Sequence, residues 1–209
     1  MGFLSREEVQ AIIDAPDPST WAGQRDQVLW ATLYNTGARL SEALGITVGD
    51  VVLDGSPSIH LRGKGRKDRT VPIWPATAVQ IRRWVARIDP APGKPLFPAA
   101  TGGRLTRSAI TDRLKRAMRT AATKCASLAG RKISPHTIRH ATAMHLLQSG
   151  VDITLIALWL GHESPATTHI YVEADLKMKE AALKVLTPPV LKQVRYRPPD
   201  GLLGFLQRL

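Results

Sequence analysis

The chain has 209 residues, 44% of them hydrophobic, which suffices for one sizeable packed domain and argues against a disordered chain. Its 29 Lys and Arg against 17 Asp and Glu give a net charge of +12, which points to a polyanion as partner, most often nucleic acid. Aromatic residues make up only 5%, so a base-stacking platform for single strands fits poorly and contact with a duplex backbone fits better.

Along the chain, Ser5-Arg-Glu-Glu8 reads as a capping box, with Ser5 as N-cap and Glu8 three residues on. Val9, Ile12 and Ile13 follow as a helical stripe, and a loop from Pro16 to Ser19 ends it. The pattern predicts a second helix from about Asp26 to Thr36, stopped by Gly37, and a short one from about Leu40 to Leu44, ending at Gly45. Val51 to Leu53, Ile59 to Leu61 and Thr70 to Ile73 then read as three short strands, with Pro72 suiting an edge. Between the last two lies Gly63-Lys64-Gly65-Arg66-Lys67-Asp68-Arg69, a glycine-rich reversal with Lys64 at the tip of a hairpin.

Helices resume with a stripe at Ile81, Trp84, Val85 and Ile88, followed by a Pro/Gly-rich loop from Asp89 to Gly103. Thr106 caps a helix with Ile110, Leu114, Ala117 and Ala121 in step, and Lys124 to Ile133 forms a basic connector. Ser134-Pro135 is an N-cap with proline at the first helical position, opening a helix to about Ser149. Asp152 caps the next, which ends at Gly161; Ser164-Pro165 starts another that carries Tyr171, and one more spans about Leu176 to Leu186. Pro188-Pro189 closes the compact part, so residues 1–187 are expected to form one domain and 188–209 a tail. The tail holds a short amphipathic segment with Leu202, Leu203, Leu206 and Leu209 on one face.

The single cysteine, Cys125, precludes a disulfide framework within the chain and makes the cytoplasm the natural compartment. With Arg6, Glu7 and Glu8 in place of an apolar run, no secretory signal is expected, and no apolar stretch has the length to span a membrane.

Several residues could handle a phosphate. His136 and Arg139 lie three apart near a helix N-terminus, where free N–H groups and the helix dipole favour anions, and Arg139 offers a planar fork. Arg39 stands at a helix junction in Thr36-Gly-Ala-Arg39-Leu-Ser-Glu42, with Glu42 placed to anchor it from behind. His162 sits in the corner after Gly161. Arg66, Lys67, Arg69, Arg131 and Lys132 add positive charge suited to a DNA groove. His136 and His140 have a metal-like spacing, but Arg139 stands where a zinc site would need a glutamate. Neither a phosphate-binding P-loop nor a dinucleotide glycine loop occurs.

Thr-Gly-x-Arg-x-Ser-Glu, Gly-Lys-Gly before a Val-Pro strand, His-x-x-Arg-His, and Leu-Gly-His followed by a tyrosine together resemble the tyrosine recombinase (phage integrase) family over about Leu4 to Leu186. The resemblance implies the family's catalytic-domain fold: mainly α-helical, with a small three-stranded antiparallel β-sheet. It also implies a site-specific recombinase that cuts and rejoins duplex DNA through a 3′-phosphotyrosyl link, with no metal or nucleotide cofactor. Tyr171 would be the nucleophile, and Arg39 and Arg139 would hold the non-bridging oxygens. Lys64 would protonate the leaving 5′ oxygen, while His136 and His162 would move protons and bind the phosphate. Two other functions share parts of this pattern. One is DNA relaxation like that of type IB topoisomerases, which carry lysine where His136 stands; the other is a DNA-binding accessory protein that does not cut. The family usually has an N-terminal helical domain that closes around DNA, which this chain is expected to lack. Active relatives work as four protomers on two DNA sites, often exchanging C-terminal segments, for which Leu202 to Leu209 is the candidate.

Overall fold

The computed structural model describes residues 3–63 and 68–161, all within the first of the chain's two units, Met1–Ala174. The expected helix carrying Tyr171, the one after it, the tail, and the tip of the hairpin lie outside the described residues. Described elements are, in order, α1 (Arg6–Ile13), α2 (Trp21–Thr36), α3 (Leu40–Gly45), β1 (Val51–Val52), β2 (Ser58–Arg62), β3 (Asp68–Pro72), α4 (Pro75–Val85), α5 (Arg107–Lys124), α6 (Pro135–Gln148) and α7 (Ile153–Leu160). The strands form one antiparallel sheet in the order β1-β2-β3. The mainly helical fold with a small three-stranded sheet is thus the one expected, and β3, with Pro72 at its end, is an edge strand.

Local chemistry accounts for most boundaries. Ser5 accepts from the Glu8 N–H at 3.2 Å, and the Glu8 carboxylate accepts from the Ser5 N–H at 2.9 Å, completing the capping box of α1. Thr106 caps α5 through the Ala109 N–H, Ser134 caps α6 through Thr137, and Asp152 caps α7 through Thr154. Three expectations need correction. Helix α2 starts at Trp21 rather than near Asp26, because the Thr20 hydroxyl caps it by accepting from the Gly23 N–H at 3.0 Å. Helix α4 stops at Val85, so Ile88 packs on the core from beyond its end. The connector contains a short 3₁₀ turn, Ala126–Leu128, which buries Leu128.

Helix α2 runs through the core, burying Val28, Leu29, Trp30 and Leu33. Its last turn is tied to the rest of the fold by polar bonds. Asn35 accepts from the Trp74 N–H at 2.8 Å and donates to the Pro72 carbonyl at 3.2 Å, joining it to β3 and α4. Thr142 of α6 donates to the Tyr34 carbonyl at 2.7 Å, and the Trp159 indole of α7 donates to the Asn35 carbonyl at 3.3 Å. The ends of α2 and α7 and the middle of α6 are thereby fixed together. At the other side, Glu8 accepts from Ser127 at 2.7 Å and from Arg131 at 2.7 and 2.8 Å, closing α1 over the connector.

Candidate active site

The site begins where α2 stops. Gly37 has φ +59°, the left-handed conformation that ends a helix cheaply only at glycine. A Cβ there would also lie 2.4 Å from Leu160 Cδ2, so the absence of a side chain lets α7 approach. The reversal turns the chain into Arg39, the N-cap of α3. Two turns of logic in the sequence Thr-Gly-Ala-Arg are therefore one geometric device, a helix stop followed by a presented arginine.

Glu42, in the first turn of α3, reaches back as expected. Its Oε2 accepts from the Arg39 N–H at 2.8 Å and its Oε1 from Arg39 Nη1 at 2.9 Å. The Glu42 side chain is 3% exposed, whereas that of Arg39 is 43% exposed. The carboxylate thus holds the guanidinium from the protein side and leaves it facing outward. Burial pushes the Glu42 carboxyl up, but hydrogen bonds and charge from Arg69 and Arg39 outweigh it and hold the group below its ordinary value.

The C-terminal end of α7 is where the arginines meet. The last carbonyls of a helix have no partner within it and carry the negative end of its dipole. Here Arg69 Nε donates to the Trp159 carbonyl at 2.8 Å, Arg139 Nη2 to the Leu160 carbonyl at 2.7 Å, and Arg39 Nη2 to the Gly161 carbonyl at 3.2 Å. Arg139 Nη1 also donates to the Gly37 carbonyl, binding the α2 stop to the α7 stop. Three arginines from three elements thus grip three consecutive residues. Gly161 itself has φ +63°, and a Cβ there would be 2.8 Å from Arg69 Nη1. The glycine of Leu-Gly-His is needed for both its backbone and its lack of a side chain.

The structure therefore brings Arg39 and Arg139 to one place, but in different states. Arg139 is 4% exposed, more deeply set than a groove-reading arginine would be. His136 is exposed at the second position of α6, one turn before it. His162 follows Gly161 in the chain; like Lys64, Arg66, Lys67 and Tyr171 it lies outside the described residues.

Two of the basic residues expected at a DNA groove are committed elsewhere. Arg69 belongs to β3, not to the hairpin turn, and pairs with Leu61 across the ladder. Leu61 and Val71 face the core, and side chains on a strand alternate, so Arg69 points inward too. Its side chain is 10% exposed, and it bonds Glu42 Oε1 at 3.1 Å and Oε2 at 2.8 Å. Arg131 is the partner of Glu8, while Lys132 is exposed. The sequence signal for the inward face of Arg69 is its period-two spacing with Val71 and Ile73, and β3 begins at Asp68 rather than at Thr70 as expected.

Among the described residues no group of three or more His, Cys, Asp or Glu could hold a metal ion, and no helix is long and apolar enough to cross a membrane. Three guanidiniums gather at the end of α7, those of Arg39 and Arg69 on the Glu42 carboxylate and that of Arg139 on the Leu160 carbonyl, so the described cluster carries a positive surplus suited to an anion.

Comparison with known proteins identifies the family. The phage integrase family model matches residues 2–178. The y4rC protein of Sinorhizobium fredii, provisionally named an integrase/recombinase, is 43% identical over 209 residues, covering 100% of this chain and 63% of that protein. Tyrosine recombinase XerD of Pseudomonas aeruginosa is 37% identical over 173 residues, 80% of this chain and 56% of its own. Among solved structures, XerA recombinase matches with a TM-score of 0.73 at 26% identity, over 90% of this chain and 64% of that one. XerH in a pre-cleavage complex with its difH substrate matches with a TM-score of 0.71 at 27% identity, over 88% and 54%. The chain therefore spans between half and two thirds of the length of these relatives. On its motifs, its fold and these matches, the chain belongs to the phage integrase family of tyrosine recombinases.

Proposed function

We propose that this chain is the catalytic part of a site-specific DNA recombinase that cleaves and rejoins duplex DNA through Tyr171, without metal or ATP. The observation that carries the reading is the meeting of Arg39 and Arg139 on the adjacent carbonyls of Leu160 and Gly161, immediately before His162. Guanidiniums fixed there offer a preorganised seat for a phosphodiester's non-bridging oxygens, which gain negative charge in the pentacoordinate transition state. Such preorganised donors typically contribute several kcal/mol, about what a metal supplies in other phosphoryl-transfer sites.

In the reaction, the Tyr171 oxygen forms a bond to phosphorus as the bond from phosphorus to the 5′ oxygen breaks. A free tyrosine has a pKa of about 10, so its proton must be taken up as attack proceeds, a task suited to His136 or His162. Lys64 gives a proton to the departing 5′ oxygen. The phosphodiester is exchanged for a 3′-phosphotyrosyl ester of similar energy, so the reverse attack by a 5′ hydroxyl reseals the strand without a cofactor. Relatives solved on DNA support duplex DNA as the substrate class: XerH on difH in both pre-cleavage and post-cleavage complexes. Assembly of four protomers on two sites, with the 188–209 tail exchanged between neighbours, belongs to the same proposal.

The test uses a pool of randomised 30-base-pair duplexes, each with a central nick that lets a short 5′ product diffuse away. The chain is expected to form a denaturant-resistant adduct, carrying a 3′ phosphate, in the presence of a chelator and without ATP. Tyr171→Phe is expected to bind but form none. An adduct that survives Tyr171→Phe, or one that needs a divalent ion, overturns the mechanism. Relaxation of supercoiled plasmids lacking the recovered sequence would favour topoisomerase-like action. Binding without any adduct in the parent chain would favour the accessory role.

A further inference from the structure

We propose that Arg69 is a positioning residue for phosphate capture, acting through Glu42 to present Arg39. The inference rests on the recombinase reading above and extends it to a residue that does not itself touch DNA. Four facts support it. The register of β2 and β3 turns Arg69 to the core side of the sheet, opposite Leu61. Its guanidinium makes a two-point contact with the Glu42 carboxylate, at 3.1 and 2.8 Å, while its Nε holds the Trp159 carbonyl at 2.8 Å. Glu42 Oε1 is shared between Arg69 and Arg39, so the rotamer of the buried carboxylate sets the direction of the exposed guanidinium. The Arg69 guanidinium packs against Gly161, whose carbonyl receives Arg39 Nη2.

This arrangement makes Arg69 the common support of both contacts that aim Arg39. Without it, Glu42 loses the bidentate partner that fixes its plane, and the end of α7 loses one of its three arginine caps. Arg39 would remain charged and exposed but would sample several directions. A misaimed oxyanion donor costs rate rather than affinity, because duplex binding draws on many phosphate contacts spread over the protein. A lysine at position 69 keeps the charge but cannot make a planar two-point contact and a third bond together.

The experiment compares the parent chain with Arg69→Ala and Arg69→Lys on a nicked duplex of the sequence recovered from the pool. It measures single-turnover adduct formation, duplex affinity, and thermal midpoint. Adduct formation is expected to fall at least about tenfold in Arg69→Ala, with affinity within about threefold, and to recover only in part in Arg69→Lys. The decisive arm replaces one non-bridging oxygen of the scissile phosphate with a methyl group. That neutral phosphorus centre develops less charge and depends less on Arg39. The Arg69→Ala deficit is expected to shrink on it by at least about fivefold, alongside that of Arg39→Ala. An unchanged rate in Arg69→Ala, or an equal deficit on both substrates, overturns the positioning role while leaving the recombinase reading intact. Failure of the parent chain to form any adduct overturns the recombinase reading, and this inference falls with it.

Discussion

Replacing Glu42 with alanine should be among the most damaging single changes in the described fold, and its size can be worked from the geometry. The carboxylate is 3% exposed and accepts four hydrogen bonds, two from Arg39 and two from Arg69. The two partners count differently. Arg39 is 43% exposed and can rehydrate, so its share of the ion pair is only about 0–1 kcal/mol. Arg69 is 10% exposed and would be left with a buried charge facing the Trp159 carbonyl alone among its described bonds. Breaking a buried pair by removing one partner costs about 3–5 kcal/mol, and this term dominates. Set against a typical total of about 5–15 kcal/mol, the loss is large. In a chain of this size it should lower the thermal midpoint by roughly 10 °C. Glu42→Gln keeps an acceptor for Arg69 and should lose less, about 1.5–3 kcal/mol. Urea unfolding followed by circular dichroism measures both. A Glu42→Ala loss below about 1 kcal/mol would show that Arg69 finds water or another partner easily, and that the carboxylate does not organise the end of α7.

Other perturbations test separate parts of the structure. Below about pH 6.5, stability should begin to fall, because burial, and then the charges of His136 and Arg6 respectively, hold His140 and His145 below their ordinary 6.5. The unfolded chain then takes up protons first, so their contribution is whole above that pH and is lost as the pH drops. Glu8 and Glu42 lie below their ordinary 4.5 because hydrogen bonds from Ser127, Ser5 and Arg131, and from Arg69 and Arg39, outweigh burial; a second, steeper loss is therefore expected below about pH 4.5. Urea midpoints between about pH 2.5 and 8 would reveal both steps, and a profile flat across that range would contradict them. Gly37→Ala should cost at least about 1–2 kcal/mol from its left-handed backbone, with further loss from the clash with Leu160, and no change in unfolding midpoint would refute the close approach. Lys132→Ala should reduce the salt dependence of duplex binding by about one unit of log–log slope, while Arg131→Ala should chiefly lower stability through Glu8; the opposite assignment would exclude this division of roles.

Much of this fold could be read from residue order because its boundaries are set locally. Ser5, Thr106, Ser134 and Asp152 cap helices through bonds to residues within three positions, and Gly37 and Gly161 stop helices through their own backbone angles. The start of α2 escaped because Trp21 to Arg25 show no simple apolar period; that turn is held by the Thr20 cap and by Arg25, which is buried by bonds to Asp26 and the Pro98 carbonyl. The Glu42 anchor was legible because three positions on a helix are neighbours.

Long-range pairing hid the rest. In sequence, Arg69 shares a period-two spacing with Val71 and Ile73, but so does Lys67; pairing with β2 is what places Arg69 on the face shared by Val71 and opposite Leu61. The distinction has a functional consequence. A basic run looks like one electrostatic feature when read as composition, yet a strand alternates its faces, so one of its arginines turns inward to a buried carboxylate. Sequence charge can then overstate the surface available to DNA and understate the charge that organises the site. The same holds for Arg139, whose motif suggests a phosphate ligand while its position, 4% exposed between the Gly37 and Leu160 carbonyls, also makes it a clasp between two helix ends. If the proposed phosphate role holds, one residue links catalysis to the integrity of the fold. Substitutions at Arg139 should therefore be separated from those at exposed Arg39 by loss of stability as well as rate, and equal thermal midpoints for Arg39→Ala and Arg139→Ala would remove the basis for that separation.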